Sequence, residues 1–252
     1  MNGDFLRLLP KPAWAVAPEA GRTTPPALEA TTVFAFHCAA GVLVAGDHRA
    51  TAGNLVFSDR TEKILELDRH SLMAIAGSPA IAMEMARTLR TSFDFYRRSQ
   101  LQPMSLPAKM RALARLLHDN VPAALQGFGL VSPIFAGVDG TTATRPSIYF
   151  YDPLGAQFEA ADFAGSGSGA GSIKSVLHFL QHWGDPKPEH MTLEQAVVLA
   201  NQLLMTAAEF DTATGGVDPA RREFATIKLL ERGGVRAISA EEQAGCWREV
   251  EP

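Results

Sequence analysis

Apolar and polar positions alternate along the chain with two different periods. Short β-branched and aromatic runs predict strands at residues 31–38, 42–46, 54–57, 63–67 and 70–77. Apolar positions three and four residues apart then predict helices at 79–98 and 106–126. The succession repeats with strands at 130–137, 147–151 and 158–164, helices at 172–183 and 192–210, and closing strands at 224–231 and 235–237. Paired helices between groups of strands favour an α+β fold with stacked sheets and outer helices over alternating βαβ units.

Residues 1–30 lack this patterning. They hold five of the 16 prolines and no sustained period, which predicts a poorly ordered leader. Prolines 10, 12 and 18 interrupt the apolar stretch at 13–17, which argues against a secretory signal. We therefore expect a leader at 1–30, followed by a single domain at 31–252 that ends in a short C-terminal tail.

Composition excludes several classes of partner. The net charge of −4 argues against a nucleic-acid or acidic-membrane surface, and no 18-residue apolar run predicts a membrane span. Cys38 and Cys246 are far apart and lack the spacing of metal or redox motifs, which is typical of a reducing compartment. We expect a cytoplasmic protein that contacts neither nucleic acid nor membrane.

The junction between leader and domain is where chemistry is predicted. A threonine hydroxyl is a weak nucleophile and needs a nearby base, which its own free α-amino group can supply. That amine has a reference pKa of about 7.7–8.0, so part of it is neutral near pH 7. Cleavage between Ala30 and Thr31 would give one residue both roles, although a threonine at a strand start is also an ordinary strand residue.

The residues that follow Thr31 resemble the motifs of a known family. Asp47, Lys63 and Gly77 follow it at distances of 16, 32 and 46 residues. The stretches TTVFAF, GVLVAGDHRATAGN and AIAG, with GSGS at 165–168 and DTATGG at 211–216, resemble β subunits of the bacterial 20S proteasome over residues 31–237. The resemblance implies an αββα sandwich, the N-terminal-nucleophile hydrolase fold, and a threonine endopeptidase that needs no cofactor or metal.

The resemblance also implies a role for each motif residue. Thr31 would attack the scissile carbonyl, Lys63 would favour its deprotonated hydroxyl, and Asp47 would hold Lys63 charged. Gly77 would donate its backbone N–H to the oxyanion. Three further residues would surround the Thr31 amine: Ser166, Asp211 and Thr214.

Substrate residues are implied in the same way. Substrate would pair as an extended strand with Arg49, Ala50 and Thr51. The pocket for the residue before the cut would be neutral and mostly apolar, which predicts a chymotrypsin-like preference; its members are Ala50, Thr61, Leu65, Ile75, Pro79 and Met83. The chain departs from the family at Ala30, where glycine is usual, at Thr214, where serine is usual, and at Pro79, which lacks an N–H.

The resemblance implies an assembly as well. Homo-heptameric β rings would stack with rings of α-type subunits, four rings in all, and a ring-shaped ATPase would feed unfolded polypeptides into the closed chamber. An HslV-type peptidase with six-membered rings and a catalytically silent ring subunit stay open as alternatives. Two weaker patterns are a nucleotide-type GxGxxA at 165–170 and a histidine pair, His178 and His182, at zinc-like spacing without a third ligand.

Overall fold

The fold contains thirteen strands and six α-helices in the part of the chain that the structure, a computed structural model, describes: residues 28–52, 55–126, 129–139 and 145–250. The strands are β1 Leu28–Ala30, β2 Thr32–Cys38, β3 Gly41–Gly46, β4 Ala50–Ala52, β5 Leu55–Ser58, β6 Ile64–Asp68, β7 Ser71–Ala74, β8 Ile134–Gly137, β9 Ser147–Tyr151, β10 Gln157–Ala160, β11 Phe163–Gly167, β12 Thr226–Glu231 and β13 Gly234–Ile238. The helices are α1 Pro79–Gln100, α2 Leu106–Asp119, α3 Val121–Leu125, α4 Ala170–Trp183, α5 Leu193–Phe210 and α6 Ala240–Val250.

Two five-stranded antiparallel sheets form the centre. One has the order β11-β2-β3-β12-β13 and the other β10-β9-β8-β7-β6. Successive side chains of a strand point to opposite faces, so each sheet buries apolar residues on both sides. On β2, for example, Val33 and Ala35 join the core between the sheets, while Phe34 and Phe36 join the core under α4 and α5.

The second sheet follows the same rule with its own pair of helices. Leu72 and Ala74 of β7 face the core between the sheets, whereas Met73 packs with Leu89 of α1 and Leu113 of α2. Three apolar cores therefore separate four layers: helices, sheet, sheet, helices. This confirms the predicted α+β fold and its αββα sandwich.

Most predicted elements occur, but three expectations were wrong. The helix expected at 106–126 is two helices, because the chain turns at Asn120 and Pro122, in the first turn of α3, cannot continue the hydrogen bonds of α2. The strand expected at 158–164 is two strands, β10 and β11, which belong to different sheets. The last three leader residues are not poorly ordered: β1 pairs with β4 at the edge of a small third sheet, β1-β4-β5, while the rest of the predicted leader, 1–27, lies outside the described residues.

Two elements had no counterpart in the sequence pattern. The pattern contained no strand at β4, and it contained no element after residue 237, where the structure places α6. By contrast, Thr192 caps α5 as expected, within a reciprocal capping box formed with Gln195. Within the described residues, no helix combines the length and the apolar character that crossing a membrane requires.

Candidate active site

Thr31 lies in the short link between β1 and β2 and is 3% exposed. Its position is fixed on both sides. The Thr32 carbonyl accepts the Asp47 N–H at 3.2 Å, and Gly167, with φ of +100°, lies against the Thr31 carbonyl. A Cβ at Gly167 would come within 1.5 Å of that oxygen, so only glycine leaves room for the backbone of Thr31.

Asp47, directly after β3, accepts hydrogen bonds from several parts of the site. One carboxylate oxygen accepts the Lys63 ammonium at 2.6 Å and the Thr32 N–H at 2.9 Å. The other oxygen accepts the N–H groups of Arg49 at 2.9 Å and Gly215 at 2.8 Å. The carboxylate therefore ties together the residue after Thr31, the lysine and the loop at 211–216.

The Asp47–Lys63 pair is buried rather than a surface ion pair, since Asp47 is 2% exposed and Lys63 1% exposed. The Lys63 ammonium also donates to the Arg49 carbonyl. Burial lowers the pKa of Lys63, and the charge and hydrogen bond of Asp47 offset part of that shift. The carboxylate of Asp47 therefore favours the charged form of Lys63 against the cost of its burial.

Gly77, between β7 and α1, has φ of +99°. It forms an isolated antiparallel bridge with Val131, and an added Cβ would lie 2.0 Å from the Leu130 carbonyl oxygen. The position is therefore reserved for glycine, as the predicted oxyanion donor requires.

A chain of hydroxyl groups connects the 211–216 loop to the strand that follows Thr31. One oxygen of Asp211 accepts the hydroxyls of Ser168 and Thr214, each at 2.6 Å. The Thr214 hydroxyl lies 2.6 Å from that of Thr32, which accepts the Gly169 N–H at 3.0 Å. Burial acts to raise the pKa of Asp211, but the hydrogen bonds from Ser168 and Thr214 outweigh it and lower the pKa.

Ser166 has a different partner from the one that its motif implied. Its hydroxyl donates to the Ser132 carbonyl at 2.7 Å, and the hydroxyl that meets Asp211 belongs to Ser168. Sequence reasoning missed Ser168, Thr32 and Gly167. The second serine of GSGS was the available signal, but which serine reaches Asp211 depends on the left-handed backbone of Gly167 between them.

The predicted cleft holds the end of the leader. Leu28 and Ala30 of β1 pair with Ala52 and Thr51 of β4, with an irregularity in the register between them. Arg49, just before β4, is held by an ion pair to Asp59 at 2.9 Å and by the carbonyl groups of the 211–216 loop. Strand pairing at β4 is thus available to an extended peptide.

The residues predicted for the specificity pocket come partly together. Ile75 is buried in the apolar cluster of the second sheet, and Leu65 and Met83 pack against that cluster. Ala50 is buried at the start of β4, and Pro79 is the first residue of α1. Thr61, which donates its backbone N–H to the His48 carbonyl, lies before β6. Their side chains are neutral, in agreement with the sequence.

Other candidate sites gain no support. His178 and His182 lie on α4, where a ring nitrogen of His182 bonds the His178 carbonyl, and no cluster of metal-ligating side chains occurs among the described residues. The glycine-rich run at 165–170 begins within β11, a strand of an antiparallel sheet, which contradicts a βαβ nucleotide fingerprint. Cys38 and Cys246 are both buried.

Comparison with known proteins places this geometry in context. A family model described as "Proteasome subunit" matches residues 28–218. A protein named "Proteasome subunit beta 2" from Thermomonospora curvata is 36% identical over 254 residues, which cover 99% of this chain and 88% of the relative. "Proteasome subunit beta" proteins are 32% identical in Streptomyces griseus (91% of this chain, 81% of the relative) and 34% identical in Acidimicrobium ferrooxidans (93% and 84%).

Proposed function

Because the chain belongs to the proteasome subunit family, as its motifs predicted, we propose that it is a threonine endopeptidase and acts as a catalytic β-type subunit of a proteasome core. One observation carries the proposal. The buried Asp47–Lys63 pair is bonded to the backbone of Thr32, directly after the proposed nucleophile Thr31. A silent structural subunit has no need for a buried ion pair at this point, since such a pair is a weak source of stability.

The chemistry follows from the charges around Thr31. Its hydroxyl oxygen attacks the scissile carbonyl while the free α-amine takes the hydroxyl proton, with Lys63 favouring the alkoxide by its charge. The Gly77 N–H donates to the oxyanion. The peptide C–N bond breaks, the leaving nitrogen receives the proton, and an ester to Thr31 remains. Water then hydrolyses the ester, and the free hydroxyl and amine are restored.

Activation is the second part of the proposal. In the full chain the Thr31 nitrogen is part of the peptide bond to Ala30, so it offers no base. Attack of the Thr31 hydroxyl on the Ala30 carbonyl breaks that bond and forms an ester, whose hydrolysis releases residues 1–30. The pairing of β1 with β4 supports this step, because it anchors the leader up to Ala30, directly before Thr31.

Specificity and assembly extend the proposal. The neutral, largely apolar surroundings of Ile75, Leu65 and Met83 support cleavage after hydrophobic residues. The names of the relatives support a β ring stacked with α-type subunits, and we expect heptameric rings served by an ATPase that unfolds substrates. Negative-stain images with six-fold symmetry would favour the HslV-type alternative instead.

Intact mass and peptide hydrolysis test the function together. The wild-type chain, assembled with its α-type partner, should lose residues 1–30 and cleave fluorogenic peptides that end in a large apolar residue. Thr31→Ala should keep the leader and lose activity by at least about 10⁴-fold, because nucleophile and base chemistry act as a unit. Thr91→Ala, exposed on α1, is the matched control and should behave as wild type. Full activity in Thr31→Ala would overturn the proposal.

A further inference from the structure

Two serines of the GSGS motif, Ser166 and Ser168, have different hydrogen-bond partners: the Ser132 carbonyl and the Asp211 carboxylate. We propose that Ser166 is a positioning residue for the oxyanion donor Gly77, and that Ser168 alone serves the Asp211 side. This inference rests on the proposed function and changes the role that the motif implied for Ser166. It rests on the hydrogen bond from the Ser166 hydroxyl to the Ser132 carbonyl, 2.7 Å long.

The segment around Ser132 is what supports Gly77. The Ser132 N–H donates to the Ala76 carbonyl at 2.9 Å, and the Ser78 N–H donates to the Leu130 carbonyl at 2.7 Å. These bonds bracket Gly77 on both sides and accompany its bridge to Val131. The orientation of the Gly77 peptide therefore depends on where the segment 130–132 lies.

That segment has little regular structure of its own, because β8 begins only at Ile134. Ser166, by contrast, lies in β11, which pairs in continuous register with β2 from Phe163 to Gly167. The Ser166 hydroxyl thus fastens an irregular segment to a rigid strand. One open cavity of about 270 Å³ is lined by Gly77, Ser132 and Ser166. Gly167, which lies against the Thr31 carbonyl, lines it too, so the hydrogen bond from Ser166 to Ser132 lies at the proposed active site.

The Asp211 side is complete without Ser166. Asp211 already accepts hydroxyl groups from Ser168 and Thr214, and the latter contacts Thr32. The Ser166 hydroxyl donates instead to the Ser132 carbonyl. The two serines should therefore affect different steps: Ser166 the stabilisation of the tetrahedral intermediate, and Ser168 the protonation of the Thr31 amine.

The expected size of the effect follows from what is lost. Removing an oxyanion donor outright lowers kcat by about 10²–10³-fold. Ser166→Ala leaves Gly77 in place and only loosens its support, so kcat should fall by about tenfold with little change in KM. Ser166→Thr keeps a hydroxyl on a residue suited to a strand and should restore most of the loss.

The test compares Ser166→Ala, Ser166→Thr and Ser168→Ala in the assembled particle, with exposed Ser175→Ala on α4 as the matched control. In Ser166→Ala, kcat and the affinity for a peptide boronate, which forms a tetrahedral adduct, should fall by the same factor. The pKa of the acidic limb of kcat/KM should stay at its wild-type value. In Ser168→Ala the pKa of the acidic limb of kcat/KM should shift. A shifted limb in Ser166→Ala, with unchanged boronate affinity, would overturn the proposal.

A second measurement is independent of peptidase activity. Amide hydrogen exchange at residues 76–78 and 129–132 should be faster in Ser166→Ala than in wild type, and unchanged in Ser168→Ala and Ser175→Ala. Unchanged exchange in Ser166→Ala would refute the positioning role even if the wild-type particle proved inactive. A wild-type particle without activity but with the expected exchange pattern would instead refute the proposed function alone.

Discussion

The two partners of the buried ion pair should differ in how much each stabilises the fold. If Lys63 is replaced by methionine, Asp47 keeps three backbone donors, the N–H groups of Thr32, Arg49 and Gly215. If Asp47 is replaced by asparagine, the Lys63 ammonium loses the carboxylate that it bonds and keeps only neutral acceptors among the described residues, the Arg49 carbonyl and the new amide oxygen. The charge of Lys63 in Asp47→Asn is therefore far less well stabilised by hydrogen bonds than the charge of Asp47 in Lys63→Met.

The structure sets the expected magnitudes. Lys63→Met removes one charge-assisted hydrogen bond from Asp47, a loss of about 1.5–3 kcal/mol. Asp47→Asn leaves an uncompensated buried charge, which costs about 3–5 kcal/mol, and its amide group faces a backbone N–H. Because burial already lowers the pKa of Lys63, the ammonium can escape part of this cost by losing its proton. The unfolded chain then binds more protons than the folded one, so the stability of Asp47→Asn should rise with pH between 7 and 10.

Urea unfolding of the full chain in a Thr31→Ala background measures these differences without interference from leader removal. We expect Asp47→Asn to be less stable than Lys63→Met at pH 7 by about 2 kcal/mol. The double variant should be more stable than the sum of the single losses predicts, by at least about 1 kcal/mol, since neither charge is then left alone. Equal losses for the two single variants, or strict additivity, would refute the reasoning.

Three further changes test other parts of the site and fold. Gly167→Ala would drive a Cβ into the Thr31 carbonyl, so leader removal should slow by about 100-fold in an intact-mass time course, whereas Gly171→Ala, with open space around it, should process normally. Ala30→Gly should speed the same reaction severalfold because glycine bends more easily, and slower processing would contradict this. Burial lowers the pKa of His37 to about 4, with a smaller contribution from Arg145. Since its unfolded pKa is about 6.5, the unfolded chain binds the extra proton, and stability falls by about 3 kcal/mol as pH drops from 6.5 to 4. In His37→Gln, urea unfolding at pH 6.5 and 4 should no longer show this loss of stability. A pH dependence equal to that of the wild type would contradict its assignment to His37.

The sequence predicted the layers of the fold because burial on two faces leaves a local signature. Strands such as β2 and β7 are buried throughout and mostly apolar, and α1 and α2 show a helical period. α6 lacks such a signature because its contacts with α5 include polar ones. Gln243 bonds Asn201 and also donates to the carbonyl groups of Ala225 and Ile238, a network that only the tertiary structure assembles.

The residues of the site also differ in whether the sequence could predict them. Asp47 and Lys63 were predictable because their positions in sequence are those of a family motif, and the structure adds that the pair is buried. The partners of Ser166 and Ser168 were not predictable, because a hydroxyl two residues further along a strand ordinarily points the same way. The left-handed backbone of Gly167 breaks that rule, so the two serines have different partners: Ser166 bonds the Ser132 carbonyl and Ser168 bonds Asp211.

The position of β1 connects the two ways in which the leader would restrain the proposed enzyme. It keeps the Thr31 nitrogen in a peptide bond, and it occupies the edge of β4 that an extended substrate needs. Both restraints depend on the single bond between Ala30 and Thr31. A three-residue strand paired at one edge is only marginally stable once it is no longer covalently attached. Hydrolysis of that one bond would therefore free the amine and let the cleft empty, without a separate step to remove the leader.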